Sequence, residues 1–177
     1  MTESAGSLEL EMLQSLFAYN HWVNDLLLDQ VEKVPADRLQ ERMGGGFESI
    51  QGTSAHILQG ELFYYYRWIG EQQPRDRRPS ELASIAELRA LWKEHRGLID
   101  RFLENLTAEQ LRMPLRYGRR GGEASYELPL WKVMLQMVNH GTHHRAELAN
   151  MLTRVGLEPP QTDLIVFFEH LSAMPLT

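Results

Sequence analysis

Apolar residues recur at helical spacing in four long blocks, separated by connectors that contain glycine or proline. From about Leu8 to Val34, Leu13, Leu16, Phe17, Asn20, Val23, Leu27, Val31 and Val34 trace one stripe with the 3.6-residue period of a helix. Ser7 is the candidate N-cap, Glu9 and Glu11 lie near the positive end of the helix dipole, and Pro35 closes the block. After Gly44-Gly45-Gly46, Ser49 opens a second block that runs to about Gly70. Its apolar residues follow two edges, Ile50, Ile57 and Tyr64 on one and Leu58, Leu62, Tyr65 and Ile69 on another, which predicts a helix buried on most sides.

Ser84 and Glu87 have the spacing of a capping box, and a third helix is expected from there to about Asn105. Ile85, Leu88, Leu91, Trp92, His95, Leu98, Ile99 and Phe102 form its stripe, opposite a charged face with Lys93, Glu94, Arg96, Asp100, Arg101 and Glu104. Such a helix is half exposed. The fourth block starts near Leu130 and ends near Val155, with Gly156 as its C-cap and Pro159-Pro160 preventing continuation. Asp163 to Leu171 predicts a short final helix.

Between Leu111 and Pro129 the period fails. Leu115, Tyr117, Tyr126 and Leu128 flank Gly118 and Gly121-Gly122, which fits a small β-hairpin or an irregular flap. A faint repeat is also present: Val34-Pro35-Ala36-Asp37-Arg38-Leu39 after the first helix is echoed by Leu106-Thr107-Ala108-Glu109-Gln110-Leu111 after the third. The expected architecture is an all-α four-helix bundle made of two similar helix pairs, forming a single domain over residues 1–177.

Composition narrows the function classes. The 24 acidic against 18 basic residues leave a net charge of −6, which argues against a nucleic-acid binder. The basic clusters Arg75, Arg77, Arg78 and Arg116, Arg119, Arg120 fall in connectors and read as solvated loops. Glu3, Glu9 and Glu11 stand where a signal peptide would be basic and then apolar, and no stretch approaches the roughly 18 apolar residues of a membrane span. A cytoplasmic protein with no membrane partner is expected. There is no cysteine, so disulfides, thiol nucleophiles and cysteine metal sites are excluded, and any transition-metal site must use nitrogen and oxygen donors.

Seven histidines remain, three of them in the run His140-Gly141-Thr142-His143-His144. His140 and His144 share one face of the fourth helix with Val133, Met137, Glu147, Met151 and Val155, so both rings point inward. Alone, the pair is explained equally well by two metal ligands or by two core histidines with Glu147 as acceptor. His56 on the second helix tips the balance. It shares a face with Thr53, Gly60, Phe63 and Arg67, and Gly60 removes a side chain so that a neighbouring helix or a ligand can approach. The three would form a nitrogen site between facing helices. His143 has a legal spacing to His140 but turns off the stripe, leaving it a supporting or pocket role. His21, His95 and His170 read as amphipathic or surface histidines. Glu61, Tyr64, Tyr65, Glu147 and Arg145 are candidate pocket residues, each with a plain structural explanation as well; Arg145 turns away from the ligand face. Gly141 stands where a helical histidine-pair protease needs glutamate, and Gly-rich phosphate loops and paired Glu-x-x-His motifs are absent.

In Tyr19-Asn20-His21-Trp22-Val23-Asn24, in His56 with the aromatic stretch ending at Trp68, and above all in Val138-Asn139-His140-Gly141-Thr142-His143-His144-Arg145, the sequence resembles the DinB/YfiT-like family of metal-binding four-helix bundles. The resemblance covers nearly the whole chain. It implies that His56, His140 and His144 bind a divalent metal, zinc or nickel, with His143 outside the set. It further implies a thiol-dependent transferase or isomerase that uses a low-molecular-weight thiol such as bacillithiol or mycothiol on a small-molecule substrate. A homodimer is implied too, and the third and second helices leave room for one on the side of the bundle.

Three neutral imidazoles leave the charge of a divalent ion uncompensated, which favours an anionic fourth ligand. Bound water would ionise near pH 7 from a bulk value of about 15.7, and a thiol more readily still. Thiol activation is therefore the leading expectation and metal-hydroxide hydrolysis its rival among enzymes. The reading from another class is a non-catalytic protein that binds a metal or a small molecule.

Overall fold

The computed structural model describes residues 8–74, 78–118 and 125–173. In chain order the elements are α1 (Leu8–Val31), α2 (Ile50–Trp68), α3 (Ile85–Glu104), the short α4 (Ala108–Arg112), β1 (Pro114–Gly118), β2 (Ser125–Pro129), α5 (Leu130–Arg154) and α6 (Leu164–Ala173). The expected all-α bundle is what forms. α5 packs along both α2 and α1, and α3 closes against α1 and α2. α2 and α5 run antiparallel, since Thr53 meets Met151 while Gly60 meets His140.

The stripes read from the sequence are the core. Phe17, Val23, Val31, Ile50, Leu58, Leu62, Ile99, Met134 and Leu152 have no exposed surface. α1 stops at Val31 rather than Val34, because the chain tightens into a turn in which the Val34 amide donates to the Val31 carbonyl at 3.1 Å. Val34 is still buried. α3 carries the full capping box of Ser84 and Glu87. A second one, Thr107 with Gln110, starts α4 in a segment expected only as a connector. The faint repeat is thus structural at both places: Ala36–Arg38 is a single 3₁₀ turn and Ala108–Arg112 a short helix.

The irregular region before α5 is a hairpin, with β1 and β2 antiparallel and Leu115 opposite Leu128. α6 lies on α1, where Phe167 packs against Tyr19 and Trp22, and the Tyr19 hydroxyl donates to the Thr162 carbonyl at 2.6 Å. Arg78 pairs with Glu81 and Arg116 with Glu127. Glu3, Ser7, Arg75, Arg77, Arg119, Arg120, Gly121 and Gly122 lie outside the described residues. Among the described residues no helix is long and apolar enough to cross a membrane.

One expectation is corrected. His95 is fully buried and His21 nearly so, while His170 alone of the three is exposed. His95 belongs to the apolar stripe of α3, where helical periodicity carries its ring inward onto Tyr65, with centroids 5.5 Å apart. Its Nε2 lies 3.9 Å from the Glu61 carboxylate.

Leu58 lies at the centre of this core with no exposed surface. Leu58→Ala should lower stability by about 2–5 kcal/mol through lost burial and the cavity left behind. In urea unfolding this appears as a lower midpoint at unchanged slope.

Candidate metal centre

α2 begins at Ser49, whose Oγ accepts the Gly52 amide at 3.0 Å, and its second turn presents His56 to α5. On α5, His140 and His144 stand one turn apart and meet it. His56 Nε2 and His140 Nε2 are 3.1 Å apart. The ring centroids of His56 and His144 are 4.4 Å apart, and those of His140 and His144 4.6 Å. Ligand nitrogens of the three imidazoles all fall within 4.8 Å of one another, so the group could hold a metal ion. Gly60 makes the convergence possible. A Cβ built there would lie 2.6 Å from Cε1 and 2.7 Å from Nδ1 of His140, distances no side chain tolerates.

Glu147 completes the cluster from below. Its carboxylate takes the Nδ1–H of His144 at 2.8 Å, which leaves Nε2 of that ring with the free lone pair. His143 points outward, 69% exposed, with Nε2 3.5 Å from Glu147. His143, His144 and Glu147 also lie close enough to hold an ion, but all three come from one helix and His143 is open to water. The inter-helix group is the better-built site. Phe47 covers it: the ring stacks on His56 at 3.5 Å and 16°, and meets His144 edge-on at 5.4 Å. The loop that brings it there turns at Glu48, a non-glycine residue at φ 59°, whose side chain pairs with Arg42.

Burial and the neighbouring imidazoles of His144 and His140 push His56 down to about 4 from 6.5, against the weaker pull of Glu147. Burial, then His144 and His143, also lowers His140. These rings are therefore neutral near pH 7, the form that can donate a lone pair to a metal.

Of the candidate pocket residues, Tyr64 flanks His140, with ring centroids 6.2 Å apart, whereas Tyr65 faces α3. Arg145 does turn away from the ligands, yet it is fully buried, as is Glu61. Glu61 Oε1 accepts from Asn20 and Asn24, each at 2.7 Å, and its Oε2 accepts from Trp92 at 2.9 Å. Nη1 of Arg145 donates to the amide oxygens of Asn20 and Asn24 at 2.7 and 3.1 Å, and Nη2 to Thr142 at 2.8 Å. Sequence reasoning missed this network and Phe47. The one available signal was Asn20 standing in an otherwise apolar stripe, with Asn24 one turn on.

The model of the DinB family matches residues 1–172. The chain belongs to the DinB family. It is 23% identical over 158 residues to Protein DinB of Bacillus subtilis (strain 168), a match spanning 84% of this chain and 88% of that protein. The crystal structure of a DinB-like protein from Bacillus subtilis superimposes with a TM-score of 0.63 at 20% identity, covering 85% of this chain and 98% of the other. At that identity the likeness is one of fold. The histidine cluster of this DinB-family chain rests on its own geometry.

The low value at His56 sets a pH dependence for the metal-free protein. The unfolded chain takes up the proton near pH 6.5, the folded chain only near 4, so this contribution to stability is complete above 6.5 and is lost as pH falls toward 4. Solvent screening of the half-buried ring keeps the loss small. Histidine ring NMR on chelator-treated protein should show His56 titrating well below 6.5, and urea midpoints should decline on the acid side of that value.

Proposed function

We propose that His56, His140 and His144 bind a divalent metal ion, zinc or nickel, and that the protein activates a low-molecular-weight thiol for transfer to a small electrophile. The observation that carries this reading is the meeting of three imidazoles from two helices in a space that Gly60 keeps clear. Tetrahedral zinc, with metal–nitrogen bonds near 2.0–2.1 Å, sets its ligand nitrogens roughly 3.3–3.4 Å apart. The 3.1 Å between His56 and His140 suits that geometry. When bound, the ion would supply an uncompensated positive charge that lowers the pKa of a thiol reaching it.

The protein residues set the remaining conditions. Glu147 holds the His144 ring in one tautomer, and its carboxylate is an acceptor beside the site for a released proton. His56 and His140 are only half buried, so a small molecule can reach them past Phe47, itself 38% exposed. The thiol comes from outside, since the chain has no cysteine. In the transfer the thiol loses its proton, its sulfur bonds to the electrophilic carbon, and the leaving group departs with its electron pair.

Untagged protein should contain about one zinc or nickel per chain, and His140→Ala should lose it. Absence of stoichiometric metal, with unchanged affinity in His140→Ala, would refute the site. Gly60→Ala is the sharper variant. Alanine favours a helix by about 0.8–1.0 kcal/mol over glycine, so stability should hold or rise, while the displaced His140 ring weakens metal binding. Metal-dependent thiol consumption with a panel of electrophiles should vanish in His56→Ala. If no thiol is consumed while ester or amide substrates are cleaved, the protein is a hydrolase instead.

A further inference from the structure

Glu61 and Arg145 are 1% and 2% exposed, and the chemistry proposed above uses neither. Each directly follows a residue of the histidine site in the sequence: Glu61 follows Gly60, and Arg145 follows His144. We propose that Glu61, Asn20, Asn24 and Arg145 form a positioning relay that fixes the register of α5 against α2 and so brings His140 and His144 to His56. The proposal rests on the metal reading above.

Both asparagines use both ends of their amides. Nδ2 of Asn20 and of Asn24 donates to Glu61 Oε1, and the oxygen of each accepts from Arg145 Nη1. The anion of α2 and the cation of α5 are thus joined through α1. Their charges fix the orientation of each amide, because a flipped amide would set NH₂ against guanidinium and C=O against carboxylate. Gly141 clears the space: a Cβ there would lie 2.6 Å from Arg145 Nη1 and 3.3 Å from the Asn20 oxygen. Glycine thus removes a side chain at both close approaches of α5, Gly60 beside His140 and Gly141 beside Arg145. Trp92 ties α3, which carries none of the three candidate ligands, to the other oxygen of Glu61.

Registers are discrete. Sliding α5 by one turn, about 5.4 Å, would break both bonds Arg145 makes to Asn20 and Asn24 and leave a buried guanidinium with partners on its own helix only. His140 and His144 are fixed to α5, so the register that satisfies Arg145 also sets their distance from His56. The relay is neutral overall and adds no net charge to an ion. Its contribution is geometric.

The test uses the full-length protein with Co²⁺ as the probe, because visible absorption of the cobalt form reports ligand geometry and chelator competition reports affinity. Asn20→Leu keeps the branched heavy-atom shape of the side chain and removes both bonds. It should bind Co²⁺ about 10- to 100-fold more weakly than wild type, with an altered spectrum. Leu103→Ala, a core truncation on α3, is the control for lost stability and should bind as wild type does. Trp92→Phe removes one bond to Glu61, stays folded, and should shift affinity in the same direction by less. Wild-type affinity and spectrum in both Asn20→Leu and Trp92→Phe would overturn the relay while leaving the metal site standing, as would equal weakening in Leu103→Ala. A wild-type protein that binds no cobalt would refute both.

Discussion

The approach of α2 to α5 at Gly60 is the constraint on which the rest of the molecule depends. A single missing side chain lets the His140 ring lie against the backbone of α2, and from there His56 and His144 fall within one cluster. A side chain at position 60 would displace the His140 ring from this place. The histidine site is then a property of helix packing. Two of its rings come from the turn spacing of α5, and the third from an element 84 positions earlier.

Next to that apolar contact stands its polar counterpart. Burying a lone carboxylate or guanidinium costs several kcal/mol, and the attraction between two buried charges does not by itself offset the loss of water. Here hydrogen bonds offset much of the deficit: Glu61 accepts from Asn20, Asn24 and Trp92, while Arg145 reaches Asn20, Asn24 and Thr142 through its two terminal nitrogens. Replacing the whole set with well-packed apolar residues would leave a bundle of comparable stability. What it would lose is the directionality that separates one helix register from its neighbours.

The helices were legible in the sequence because apolar periodicity and capping residues are local signals. Ser84 with Glu87 marks the start of α3, and the stripes of α1 and α5 are its core faces. The meeting of His56, His140 and His144 was legible for a similar reason, since an i,i+4 pair and a glycine one turn beyond the third ring are both visible in one dimension. The polar network was not. Asn20, Glu61 and Arg145 lie far apart in sequence, and Asn20 in the apolar stripe of α1 does not name its partners until the fold places them together. The burial of His95 follows from its position in the apolar stripe of α3, which outweighs the amphipathic character of histidine. The short α4 has five residues, too few for periodicity to mark it, and its one local signal is the Thr107–Gln110 capping box.

The wide sequence separation of His56 and His140 has a consequence for the whole chain. A protein without cysteine cannot staple distant segments with a disulfide, and a long stretch of chain separates α2 from α5. An ion shared by the two helices would act as a reversible staple across that loop, its strength set by the free metal concentration rather than by redox state. Folding and metal supply would then be linked: in metal-poor surroundings the pairing of α2 with α5 would lose that added stability.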